Sequence, residues 1–159
     1  KPAYAGPYGG DFDQKDVATG SKVHLPVMVS EALVFFADPH ASISDGIIAG
    51  TGVECTSKVR ARLLLNKRQP CNHPIIENED TIQFVGTGSS VEAATESAAE
   101  HALGFTTDRT GLTRDEAYML LSIVGELRIG TSPRPVMATR LIVPRETLIE
   151  AGWSGNLWD

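Results

Sequence analysis

The chain has 159 residues, 42% hydrophobic and 21% charged, which suits one domain with a sizeable core. A formal charge of −6, with no aromatic residues interleaved among the clustered basic ones, speaks against nucleic acid or an anionic membrane as a partner. No window holds the roughly eighteen apolar residues that span a bilayer, the start Lys1-Pro2-Ala3-Tyr4 lacks a secretory apolar run, and Cys55 and Cys71 are too few for a disulfide framework. The expectation is a soluble, cytoplasmic protein with reduced thiols.

Residues 1–19, rich in Gly, Pro, Tyr and Asp, read as an irregular loop. Val23, Leu25 and Val27 alternate with Lys22, His24 and Pro26, which predicts a half-buried strand over 22–29 with His24 outward. Residues 31–37 read as a buried strand or the start of a helical turn. The Ile-, Val- and Leu-rich stretches 46–54 and 58–66, joined by Cys55-Thr56-Ser57, read as a hairpin. Within it Lys58, Arg60 and Arg62 alternate with Val59, Ala61 and Leu63 as a solvated strand face, and Lys67 and Arg68 follow.

Residues 67–80 form an exposed connection carrying His73 at the surface, and 81–86 a short strand. Ser89-x-x-Glu92 reads as a capping box opening a helix from about Ser90 to Leu103, with Gly104 as its terminator and His101 near its C-terminal end. Gly86-Thr87-Gly88 ahead of it can bind an anion but reads as plain helix capping. A second capping box, Thr113-x-x-Glu116, opens a helix to about Leu127 that buries Ala117, Leu120, Leu121, Val124 and Leu127, with Tyr118 at the core's edge. A loop over 130–135, a strand over 136–143 and a short helix over 144–151 with Pro144 in its first turn follow, then Trp153 and Trp158. Strands precede helices, so the predicted class is α+β. A β-rich antiparallel, sandwich-like body carries two main helices packed on one side, within a single domain over 1–159.

The chemistry concentrates in 36–46, where Asp38, His40 and Asp45 fall within eight residues. Carboxylate oxygens and imidazole nitrogens bind divalent metals. In an extended segment residues two apart share a face, so Asp38 and His40 converge. The competing reading is turn chemistry, in which Asp38-Pro39 and Asp45-Gly46 merely bend the chain.

The surrounding order is Gly9-Gly10-Asp11-Phe12-Asp13, Gly20-Ser21-Lys22-Val23-His24-Leu25-Pro26-Val27, Asp38-Pro39-His40, Asp45-Gly46, Gly50-Thr51-Gly52-Val53-Glu54 and Gly111-Leu112-Thr113-Arg114-Asp115-Glu116-Ala117-Tyr118. This resembles the acetamidase/formamidase family of metal-dependent amidases, nearly end to end. Where that family carries Gln-Gly-Asp-Gly-Glu, this chain reads Ile43-Ser44-Asp45-Gly46-Ile47, so a glutamine and a glutamate are both replaced by isoleucine. The match covers about the C-terminal half of such enzymes. A fragment, a processed subunit or half of a two-chain protein is expected.

The resemblance implies a β-rich sandwich with a smaller α/β part, and hydrolysis of a small linear or cyclic amide by a metal-activated water. Asp38, His40 and Asp45 are the expected ligands of a divalent metal, with zinc the expected ion; the alternative role for Asp45 is to orient His40. Asp45, Glu54 or a residue of a partner chain takes over acid/base work from the missing glutamate. Asp11 and Asp13, with Ile43 and Ile47, line the substrate side. The expected partners are a chain carrying the N-terminal half and further copies in a homo-oligomer. The alternative function is a noncatalytic subunit or binding relative that has lost the catalytic glutamate.

Overall fold

The structure is a computed structural model that describes residues 4–11, 13–67, 71–131 and 135–157. In chain order the elements are β1 (Lys22–His24), β2 (His40–Ser42), β3 (Val53–Glu54), β4 (Ile75–Glu77), β5 (Thr81–Gly88), α1 (Val91–Arg109), α2 (Arg114–Val124), β6 (Glu126–Thr131), β7 (Met137–Pro144) and α3 (Arg145–Glu150). Five strands form one antiparallel sheet in the order β1-β4-β5-β7-β6, and β2 and β3 form a separate two-stranded ribbon. The class is α+β, as expected.

Helix α1 lies on β5 and β7, buries Ala94, Ala98 and Ala102, and approaches closely because β5 carries glycine where they meet. A Cβ on Gly86 would stand 2.2 Å from the Ala98 nitrogen, and one on Gly88 2.6 Å from the Ala94 nitrogen. These glycines therefore serve helix–sheet packing. Ser90, one residue later than expected, is the N-cap and accepts from the Ala93 N–H at 3.2 Å.

Gly104 does not end α1, which runs five residues further to Arg109. Phe105 stacks 5.0 Å from Phe84 and 5.5 Å from Trp153, and Thr106 is fully buried. That packing outweighs the cost of about 1 kcal/mol for an interior glycine. His101 accordingly sits inside the helix, against Phe84 and His73. Burial first, and His73 beside it second, push its pKa down to about 4, so it is neutral instead of complementing a helix end.

The Thr113–Glu116 capping box forms as read. Helix α2 stops at Val124 because Gly125 caps it, donating to the Leu121 carbonyl. Leu127 thus falls in edge strand β6 and is about half exposed, and Tyr118 points to solvent instead of the core's edge. Ile75, Ile82, Phe84, Leu103, Leu121, Val143, Leu148 and Trp153 form the main core between sheet and helices.

The strand expected over 22–29 shortens to Lys22–His24. His24 is mostly buried: its Nε2 lies 3.1 Å from Glu77, which also receives Lys22 at 2.8 Å and Arg145 at 2.9 Å. Burial alone would raise the Glu77 pKa, but these three donors hold it below its ordinary value. Residues 31–37 and 58–66 are not strands, and of 46–54 only Val53–Glu54 forms a strand, pairing with β2 instead of 58–66, while Gly46 makes an isolated bridge to Thr131. A strand needs a neighbouring strand for its backbone groups, and among the described residues no strand pairs with 31–37 or 58–66. The expectations for Arg68, Trp158 and residues 132–134 fall outside the described residues. No described helix is long and apolar enough to cross a membrane.

Candidate functional site

The β2–β3 ribbon positions His40. Its register sets His40 opposite Glu54, and the Cys55 N–H donates to the Pro39 carbonyl at 3.0 Å, which clamps the Asp38-Pro39-His40 turn. Directly opposed residues of an antiparallel pair project to the same side, so Glu54 shares the His40 face. Glu54 Oε1 also accepts from the Thr51 hydroxyl at 3.2 Å. Gly52 supplies the seat for the imidazole: a Cβ there would stand 2.7 Å from His40 Cδ2 and 2.7 Å from the Ser42 carbonyl oxygen.

Asp38 precedes proline and adopts φ 57°, a left-handed conformation uncommon for any residue with a Cβ. Such backbone strain clusters at functional sites. From there Asp38 Oδ1 lies 4.0 Å from His40 Nε2, and Asp13, carried by the N-terminal loop, completes a group whose ligand atoms all lie within 4.8 Å of one another. The Thr131 hydroxyl donates to the Asp13 carbonyl at 3.5 Å and ties that loop to β6. The His40 side chain is only 7% exposed, and its Nε2 is buried with no hydrogen-bond partner among the described residues. An orphan imidazole nitrogen facing two carboxylates is a donor set that fits a divalent cation.

Asp45 stands elsewhere. One of its oxygens accepts from Arg140, the other lies 2.9 Å from Lys15 Nζ, and Arg128 is 3.9 Å away. Arg140 is fully buried in β7 and is also held by Gln14 and, at 3.1 Å, by Asp16. The expectation of Asp45 as third ligand gives way to Asp13, because a buried guanidinium requires a counter-charge and Asp45 is that charge. Beside it Gly46 bridges to Thr131, its N–H donating to the Gly130 carbonyl at 3.3 Å, which docks the loop on the edge of the sheet.

Ile43 and Ile47 line one open groove of about 460 Å³ together with Ser42, Gly52 and Val53 of the ribbon. Ile47 is buried and takes φ 39°, strained for a β-branched side chain. Asp11 is half-buried in the same loop as Asp13, with φ 47°, outside the three-residue cluster. Reading the sequence missed Arg140, Gln14 and Gly52. A lone charge inside the apolar run Met137–Pro144 was the available signal for Arg140.

The chain matches the model of the Acetamidase/Formamidase family over residues 5–148. It is similar to a crystal structure of an acetamidase from Bacillus halodurans, with 28% identity and TM-score 0.82 over 96% of this chain and 52% of that one. An acetamidase from Yersinia enterocolitica is similar at 29% identity and TM-score 0.84, over 93% and 45% of the two chains. A protein described as a predicted acetamidase/formamidase from Thermoanaerobacter tengcongensis shares the fold at 23% identity and TM-score 0.83, over 95% and 50%. The chain thus spans about half the length of these relatives. A search of the curated proteins finds no match.

Proposed function

The chain belongs to the acetamidase/formamidase family, and from that premise we propose that it supplies part of a site for metal-dependent hydrolysis of a small amide, linear or cyclic. The observation that carries this reading is the convergence of Asp13, Asp38 and His40 around a buried, unpartnered imidazole nitrogen. These three residues are the proposed holders of a divalent cation, zinc by the mixture of imidazole and carboxylate. When bound, such an ion supplies Lewis acidity that activates a water and polarises a carbonyl.

Glu54, opposite His40, is the proposed acid/base: its carboxylate accepts a proton from the attacking water and returns it to the leaving amine. Ile43 and Ile47, which line one groove, give the substrate an apolar wall, and Asp11, two residues before Asp13 in the N-terminal loop, is a further proposed substrate-binding residue. Asp45 acts through Arg140, holding the loop that carries these isoleucines against the sheet. The remaining walls come, in this proposal, from a partner chain equivalent to the unmatched half of the relatives, within a homo-oligomer. Both cysteines are free, which suits a reducing compartment such as the cytoplasm.

A second reading is a noncatalytic subunit. It is favoured by Ile47, a buried aliphatic residue where the resembled family places its glutamate. Metal analysis with assays on formamide, acetamide and a lactam separates the two. Stoichiometric zinc and an activity abolished by Asp38→Asn support the hydrolase; metal-free, inert protein supports the subunit.

A further inference from the structure

Two stretches of this chain, 26–37 and 56–65, present apolar side chains to solvent. Leu33 is 80% exposed, Phe35 84%, and Leu63 and Leu65 66% each. Single exposed apolar residues are ordinary, but runs of this kind mark an interaction surface. Among the described residues their backbone makes no hydrogen bond to another backbone group, and neither stretch belongs to a strand, although 58–63 alternates Lys58, Arg60 and Arg62 with apolar residues as a strand does. A row of free N–H and C=O groups beside apolar side chains is a template for an added strand.

The similarity to the solved acetamidases extends over 93–96% of this chain, so most of the two stretches falls inside the shared fold. In those relatives the same fold sits in a polypeptide about twice as long. We infer that residues 26–37 and 56–65 are the docking surface for a polypeptide equivalent to the unmatched half of these acetamidases, which adds strands to both stretches and covers Leu33, Phe35, Leu63 and Leu65. The inference rests on the family reading but not on the proposed hydrolysis.

The test uses the protein isolated from its source in native form. Hydrogen exchange measured by mass spectrometry is expected to find the amides of 27–36 and 58–65 protected at least tenfold over an unstructured reference. Amine-reactive cross-linking at Lys58 is expected to join it to sequence that aligns with the unmatched half of the Bacillus halodurans acetamidase. The double substitution Leu63→Asp/Leu65→Asp should remove the protection of 58–65 while the amides of β5 and α1 keep theirs, because neither leucine touches the core. Freely exchanging amides in the native protein, cross-links to a second copy of this chain, or protection surviving the double substitution would each overturn the inference. Asp38→Asn should leave the protection unchanged, so loss of hydrolysis alone bears only on the proposed activity.

Discussion

His40 rests directly on Gly52, where even a methyl group would stand 2.7 Å from Cδ2 of the ring and equally close to the Ser42 carbonyl. Position 52 is therefore the mould for the imidazole. Gly52→Ala must push the ring or the β2–β3 ribbon aside, and zinc affinity should fall by about 10–100-fold, the usual effect of disturbing a ligand's support. Isothermal titration with zinc measures this; an unchanged affinity would mean that His40 holds no metal.

Asp45 and Asp38 should separate cleanly as variants. Asp45→Asn leaves the fully buried Arg140 short of a counter-charge and should cost about 3 kcal/mol, at the low end for a broken buried pair because Asp16 remains. Asp38→Asn, at a half-exposed carboxylate that stands 4.0 Å from His40 Nε2 without hydrogen-bonding it, should cost under about 1 kcal/mol. Urea unfolding of both variants gives the comparison, and equal costs would contradict the division of labour.

Glu54→Gln keeps the hydrogen-bonding shape but cannot carry a proton. Amide hydrolysis should drop by about 10²–10⁴-fold while zinc content stays at the wild-type level. Turnover of acetamide together with metal analysis decides this. A variant as active as the wild type would move the acid/base role off Glu54.

Stability should depend on pH through His101. Its folded pKa of about 4 lies below the ordinary 6.5, so below pH 6.5 the unfolded chain takes up the proton first. The stabilisation is full above about pH 6.5 and is lost progressively as pH falls through 4, amounting to something on the order of 3 kcal/mol. His24 and His73, whose pKa values are also lowered chiefly by burial, act in the same direction. Urea midpoints between pH 7.5 and 4.5 should show the decline, and His101→Gln should flatten it.

What could be read from residues alone was whatever depends on short-range pattern. The Thr113–Glu116 box, the strands around Phe84 and Leu141, and the α+β order all rest on propensity and alternation over a few positions. Asp38 and His40 were legible together because two residues separate them. Asp13, which completes the cluster, was expected only as a pocket residue, since its approach to Asp38 depends on a loop crossing to β6.

The end of α1 shows the same boundary from another side. Glycine at 104 is a stop signal by itself, and only the rings of Phe84 and Trp153 around Phe105 carry the helix past it. Likewise the strand-like patterns at 31–37 and 58–66 indicate what those residues are built to do, but a strand exists only where a neighbour accepts its hydrogen bonds. Composition and local spacing therefore determined the class, the Thr113–Glu116 cap and the closeness of Asp38 to His40. Tertiary structure alone decided that Asp45 answers Arg140 and that Asp13 joins His40, because the energy of a buried charge depends on neighbours distant in the chain.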